Sequence, residues 1–86
     1  MFTQEIIIEN ETGIHARPAT AIVKKASAYS GSVTIKTENK NANAKSMISL
    51  LSLGLSKNDK ITLIVEGENE EEAGREIAEF IQNFRD

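Results

Sequence analysis

Three stretches of the chain alternate apolar and polar residues with a period of two, and apolar residues recur at helical spacing in the segments between and after them. In the first stretch Phe2, Gln4, Ile6 and Ile8 share one face, and Thr3, Glu5, Ile7 and Glu9 share the other. That is the pattern of a strand buried on one side, ending near Glu9. After a break at Gly31, Val33 and Ile35 alternate with Ser32, Thr34 and Lys36. After the turn Asn58-Asp59, Ile61, Leu63 and Val65 alternate with Thr62, Ile64 and Glu66, and Gly67 ends the run. Strands with one apolar face must bury it against a second layer, so the alternation points to a sheet covered on one side.

The covering layer is helical. Ala19, Ile22, Val23 and Ala26 form a stripe between residues 16 and 27. Pro18 marks the start of that helix, because first-turn amides have no intrahelical partner to lose. A turn at Glu38-Asn39, where asparagine tolerates a positive φ, leads to a short strand over 40–44. Ser46 is a good N-cap for a helix over 47–53, which Gly54 closes in a left-handed conformation. Asn69 with Glu72 has a capping-box-like arrangement, and Glu70, Glu71 and Glu72 favour the positive end of the last helix dipole. Ala73, Ile77, Phe80, Ile81 and Phe84 give that helix its apolar face, while Gly74 inside it costs roughly 1 kcal/mol relative to alanine. The order βαββαβα predicts an α+β fold, a two-layer open-faced sandwich with a four-stranded antiparallel sheet and three helices on one face. One domain spans residues 1–86.

Composition narrows the function classes. The runs Ile6–Ile8 and Leu63–Val65 are far short of the ~20 apolar residues that span a bilayer, and the N-terminus lacks a secretory pattern, so a cytoplasmic protein without membrane insertion is expected. Cysteine is absent and histidine occurs once, which leaves no disulfide, no thiol chemistry and too few ligands for a zinc site; neither metal nor cofactor is expected. Direct nucleic-acid binding is disfavoured by a net charge of -3 and by the lack of aromatic pairs on the sheet. The charge is uneven: residues 12–45 carry Arg17, Lys24, Lys25, Lys36, Lys40 and Lys45 against Glu38 alone, and residues 66–86 are strongly acidic. Ordinary solvated charge and a basic docking face both fit that distribution.

Residues 12–20 read TGIHARPAT, which places His15 at or just before the first helix and Arg17 in its first turn. The free amides of Ala16 and Arg17 point out of the helix end with the positive pole of its dipole, forming an anion site that the Arg17 guanidinium completes. A histidine beside such a site can act as a phosphoryl nucleophile: neutral imidazole attacks phosphorus, and the product phosphate rests against amides and arginine. The helix pole and Arg17 also disfavour imidazolium, keeping part of His15 neutral and reactive near pH 7. A helix-capping histidine is the plain alternative. Serine or aspartate would cap better, however, and the joint spacing of Gly13, His15, Arg17 and Pro18 is then unexplained.

With these residues in view, the chain resembles the histidine-containing phosphocarrier (HPr) family of the bacterial phosphoenolpyruvate:sugar phosphotransferase system over essentially its whole length. The likeness rests on Gly13-Ile14-His15-Ala16-Arg17-Pro18-Ala19-Thr20 and on Lys45-Ser46-Met47-Ile48-Ser49-Leu50-Leu51-Ser52-Leu53-Gly54. It implies a shuttle rather than an enzyme: enzyme I would phosphorylate His15 on Nδ1, and His15 would pass the group to sugar-specific enzyme IIA domains. It further implies Ser46 as a regulatory site for an HPr kinase/phosphorylase, with the phosphoserine form serving a catabolite-control transcription factor. An exposed cap serine suits that role, since a helix end welcomes phosphate.

Five apolar residues, Met47, Ile48, Leu50, Leu51 and Leu53, exceed what so short a helix can bury on one face. Ile48 and Leu51, near Ile14, are the candidates for an apolar docking patch, so that the docking residues are Ile14, Thr20, Lys24, Ile48 and Leu51; the alternative is that all five apolar residues of the helix are core. A monomer is expected, because a carrier must present His15 to two partners in turn. A nitrogen-branch regulatory phosphocarrier would share His15 and Arg17, but the Ser46 segment speaks against it. A regulatory homologue without carrier activity would be expected to lack the histidine. A small phosphate-binding hydrolase of the acylphosphatase kind would need a water-positioning asparagine in a recognisable motif, and none is present.

Overall fold

The alternating stretches pair into one antiparallel sheet in a computed structural model that describes residues 1–11, 13–14 and 16–84. The elements are β1 (Phe2–Ile7), α1 (Ala16–Ser27), β2 (Ser32–Lys36), β3 (Asn41–Asn43), α2 (Met47–Ser52), β4 (Lys60–Glu66) and α3 (Glu70–Asn83). Strand order is β1-β4-β2-β3, so β4 lies between the first two strands and β3 forms an edge. Register follows the apolar pattern: Ile6 lies opposite Ile61, Val33 opposite Val65, and Ile35 opposite Leu63. All six are buried on the helix-covered face, whereas Thr3, Glu5 and Ile7 of β1 face outward. The helices complete the core with Ala19, Ile22 and Ala26 of α1, Leu50 of α2, and Ile77, Ala78 and Ile81 of α3. The expected fold class is the observed one.

Local details differ in three places. At the β2–β3 hairpin Asn39 does not take a positive φ, and β3 is shorter than expected. The Thr37 N–H donates to the Lys40 carbonyl (2.8 Å), and the Thr37 hydroxyl accepts the Lys40 N–H (3.1 Å), so a side chain closes the turn without left-handed backbone. At the start of α3, Asn69 makes no side-chain cap. It adopts a left-handed conformation (φ 55°, ψ 34°) rather than the extended one that aims a cap at the first-turn amides. Glu70 instead ties the helix start to the chain before it, accepting the Gly67 N–H at 3.1 Å and pairing with the Met1 amine, and that amine holds its carboxyl below the usual range.

The third difference explains Gly74. A methyl group there would overlap the Phe2 ring, so α3 approaches β1 as closely as it does only because the side chain is absent. Alanine at an ordinary helical position gains about 1 kcal/mol over glycine, but overpacking a core costs ~1–3 kcal/mol and here outweighs that gain. Gly74→Ala is therefore expected to lower Tm by about 5 °C in a thermal melt, where helix propensity alone would raise it.

Candidate functional site

Helix α1 begins at Ala16 because the apolar stripe starts at Pro18 and Ala19, both buried, and Pro18 costs no hydrogen bond in the first turn. Ala16 and Arg17 are its first two residues, so their amides have no intrahelical acceptor, and both are exposed. Thr20 lies one turn further on, its hydroxyl donating to the Ala16 carbonyl (2.7 Å). Arg17, Thr20 and Lys24 are spaced along one exposed side of the helix. His15 itself, the proposed nucleophile, lies outside the described residues, as does Thr12.

The loop leading to this helix end is held from below. Gly13 sits at φ 70°, where glycine is favoured, and so close to the Leu55 carbonyl that a Cβ would overlap it. Ile14 donates its N–H to that same carbonyl at 3.1 Å, and its side chain is 6% exposed. This corrects the expectation that Ile14 belongs to the docking patch. Gly13 and Ile14 pack onto the α2–β4 loop, and burying an isoleucine side chain is favourable by ~1.5–3 kcal/mol, so Ile14 is drawn into the core.

Ser46 is the N-cap of α2, its Oγ accepting the Ser49 N–H at 3.3 Å. It is half-buried rather than exposed, and the adjoining Met47 packs against the core. The Thr20 hydroxyl lies 3.6 Å from the Met47 sulfur, which brings the start of α2 against the second turn of α1. Of the apolar residues of this segment, Leu50 is fully buried and Met47 and Leu53 are partly buried. Ile48 is 82% exposed and Leu51 40%. They lie one turn apart and form the exposed apolar strip that the surplus of apolar residues anticipates.

The basic segment is not one continuous face. Lys45 donates to the Tyr29 carbonyl (2.6 Å) just past the end of α1, and Lys40 donates to the Ser52 carbonyl (3.2 Å) at the end of α2. Both cations meet the negative pole of a helix. Lys25 turns to α3, 3.9 Å from Glu76 and 6.0 Å from the centre of the Phe80 ring. Arg17 and Lys24 are the cations that remain exposed on α1. Among the described residues no group of acidic or histidine side chains could hold a metal ion, and no helix is long and apolar enough to cross a membrane.

Sequence reasoning missed Asn10. It is 2% exposed and contacts Gly13 twice, through its side-chain Nδ2 to the Gly13 carbonyl (3.3 Å) and through its main-chain carbonyl from the Gly13 N–H (3.1 Å). Nothing in the local pattern marks a loop asparagine as buried.

Comparisons with known proteins agree with this geometry. The family described as PTS HPr component phosphorylation site matches residues 2–83. The chain is 42% identical to the phosphocarrier protein HPr of Borreliella burgdorferi over 86 residues, covering 100% of each. Among solved structures, HPr of Thermoanaerobacter tengcongensis superposes with a TM-score of 0.89 at 41% identity, covering 94% of this chain and 91% of that one. The catabolite repression protein Crh of Bacillus subtilis, described as a dimer with a swapped domain, gives a TM-score of 0.76 at 36% identity, covering 95% of this chain and 94% of the other.

Proposed function

The chain belongs to the HPr family of phosphocarrier proteins of the phosphotransferase system, a carrier rather than an enzyme, and on that premise we propose that His15 is the residue that carries the phosphoryl group. His15 accepts it from phosphorylated enzyme I and passes it to sugar-specific enzyme IIA domains. The observations that carry this reading are the sequence run Gly13 to Thr20 and the place of Ala16 and Arg17 in the first turn of α1, with Arg17 exposed.

In the forward step an imidazole nitrogen bonds to phosphorus as the donor's bond to phosphorus breaks. The amides of Ala16 and Arg17 and the Arg17 guanidinium stabilise the charge on the equatorial oxygens. Delivery is the reverse step with the acceptor as nucleophile. A relay reconstituted from enzyme I, this chain and a IIA domain tests the reading. Phosphate from phosphoenolpyruvate should reach IIA only when the chain is present, and a IIA domain that remains unlabelled defeats the assignment.

Docking uses Thr20 and Lys24 on α1 with Ile48 and Leu51 on α2, and the partners are expected to be acidic because Arg17 and Lys24 are the exposed cations there. Lys24→Glu should slow association with enzyme I about tenfold at low salt, and added salt should shrink the difference because surface charges are screened over ~8 Å at physiological ionic strength. Stopped-flow association rates across a salt series check this, and salt-independent rates in both proteins would refute electrostatic docking.

Ser46 is a regulatory site in this reading, phosphorylated by an HPr kinase/phosphorylase, and the phosphoserine form engages a catabolite-control transcription factor. The N-cap position of Ser46 and the contact between Thr20 and Met47 support it, since the residue after Ser46 meets Thr20 of α1. A cytoplasmic location suits soluble partners of this kind. The carrier role needs the outer side of α1 accessible, which a monomer provides; the swapped Crh dimer indicates that folds of this type also pair.

A further inference from the structure

We infer that Asn10 is a positioning residue for phosphoryl transfer, its buried side chain fixing the peptide from which the chain enters α1. The inference rests on the carrier reading. Among the described residues Asn10 is the one buried polar side chain of the core. In the 10–13 turn its side-chain Nδ2 donates to the Gly13 carbonyl (3.3 Å), beside the backbone bond from the Gly13 N–H to the Asn10 main-chain carbonyl (3.1 Å). Beyond that turn the backbone is pinned from the side. Gly13 abuts the Leu55 carbonyl, Ile14 donates to it at 3.1 Å, and the Ile14 side chain is buried. Helix α1 starts two residues later, at Ala16.

The Asn10 amide contributes to stability and to orientation. Losing the amide leaves the Gly13 carbonyl, a backbone group, without this donor at a cost of ~1–3 kcal/mol, so thermal melting is read beside transfer to separate that cost from a role in positioning. An amide adds direction: its hydrogen bond selects one orientation of the Gly13–Ile14 peptide, whereas an apolar side chain would tolerate several. In group transfer a displacement of ~1 Å can cost on the order of 100-fold in rate, so such orientation acts on catalysis. The docking residues are on α1 and α2 and not in this loop, so binding of the donor should be spared.

Two variants of the whole chain test this. Asn10→Leu keeps volume and removes the donor, and Asn10→Asp keeps shape while replacing the donor with an acceptor. Each is measured as acceptor for the phosphorylated donor protein, with kcat and KM separated, beside amide hydrogen exchange and thermal melting. We expect kcat to fall about tenfold with KM changed less than about twofold. Exchange at the Ile14 amide should rise at least about tenfold while that of Leu63 in β4 is unchanged, because only local opening is released. Unchanged kcat in a folded variant, unchanged exchange at Ile14, or a loss of kcat matching the unfolded fraction would each overturn the inference. A parent chain that accepts no phosphate would defeat the carrier reading and this role together, and exchange at Ile14 would then report only whether Asn10 orders the loop.

Discussion

His15→Ala is expected to abolish phosphoryl transfer, and Arg17→Ala to slow it by about 100- to 1,000-fold, the usual cost of removing one preorganised donor from a developing charge. The two effects differ in kind. Alanine at position 15 removes the atom that bonds to phosphorus, and no other histidine or cysteine exists to replace it. Alanine at position 17 leaves the nucleophile and the helix amides in place and removes the guanidinium. Arg17 is exposed and outside the core, so its loss should leave Tm nearly unchanged. Rapid-quench measurement of enzyme I-dependent phosphorylation separates the cases. Full transfer in His15→Ala would defeat the carrier mechanism, and an unchanged rate in Arg17→Ala would remove only the role given to arginine.

Phosphorylation of Ser46 is expected to slow phosphorylation of His15 by about 100-fold without unfolding the protein. Phosphoserine adds about -1.5 to -2 charges at pH 7, and at the first turn of α2 those charges meet the favourable end of the dipole. The cap to the Ser49 amide can pass to a phosphate oxygen, so α2 should persist. The effect therefore falls on docking. Met47, next to Ser46, touches Thr20 on α1, which sets the new charge beside the exposed face carrying Arg17 and Lys24. An acidic partner then meets negative charge where it met cations, and like-charge juxtaposition costs several kcal/mol, enough for a factor of this size. Ser46→Asp should show part of the effect, having one charge and no phosphate geometry. Transfer rates and thermal melts of the modified and unmodified proteins check both halves: equal rates would refute the regulation, and slower transfer accompanied by extensive unfolding would refute its electrostatic cause.

What was legible in the sequence was whatever repeats along one element. Alternation located β1, β2 and β4, and the stripe Ala19, Ile22, Val23 and Ala26 with Pro18 marked α1 at residues 16–27, as observed. Ser46 and Gly54 bracketed α2 because capping chemistry is local, and Gly54 does take a φ of 61°. The surplus of apolar residues in α2 announced exposed ones, and Ile48 and Leu51 are those. Contacts between distant segments were not legible. Ile14 is buried where Gly13 and Ile14 meet residues 55–56, and Asn10 is buried in the same loop, neither of which any periodicity encodes. Gly74 answers to Phe2, seventy-two positions away in sequence and against it in space. The basic segment read as one block, yet Lys40 and Lys45 serve helix ends and Lys25 serves α3, so Arg17 and Lys24 are what remain for a partner on α1.

Incubation with enzyme I and labelled phosphoenolpyruvate, followed by mapping of the modified residue under alkaline conditions that preserve phosphohistidine, tests the carrier assignment most directly. One acid-labile phosphate on His15, discharged when a IIA domain is added, is the predicted result. No label, or an acid-stable label on another residue with His15 unmodified, would contradict it.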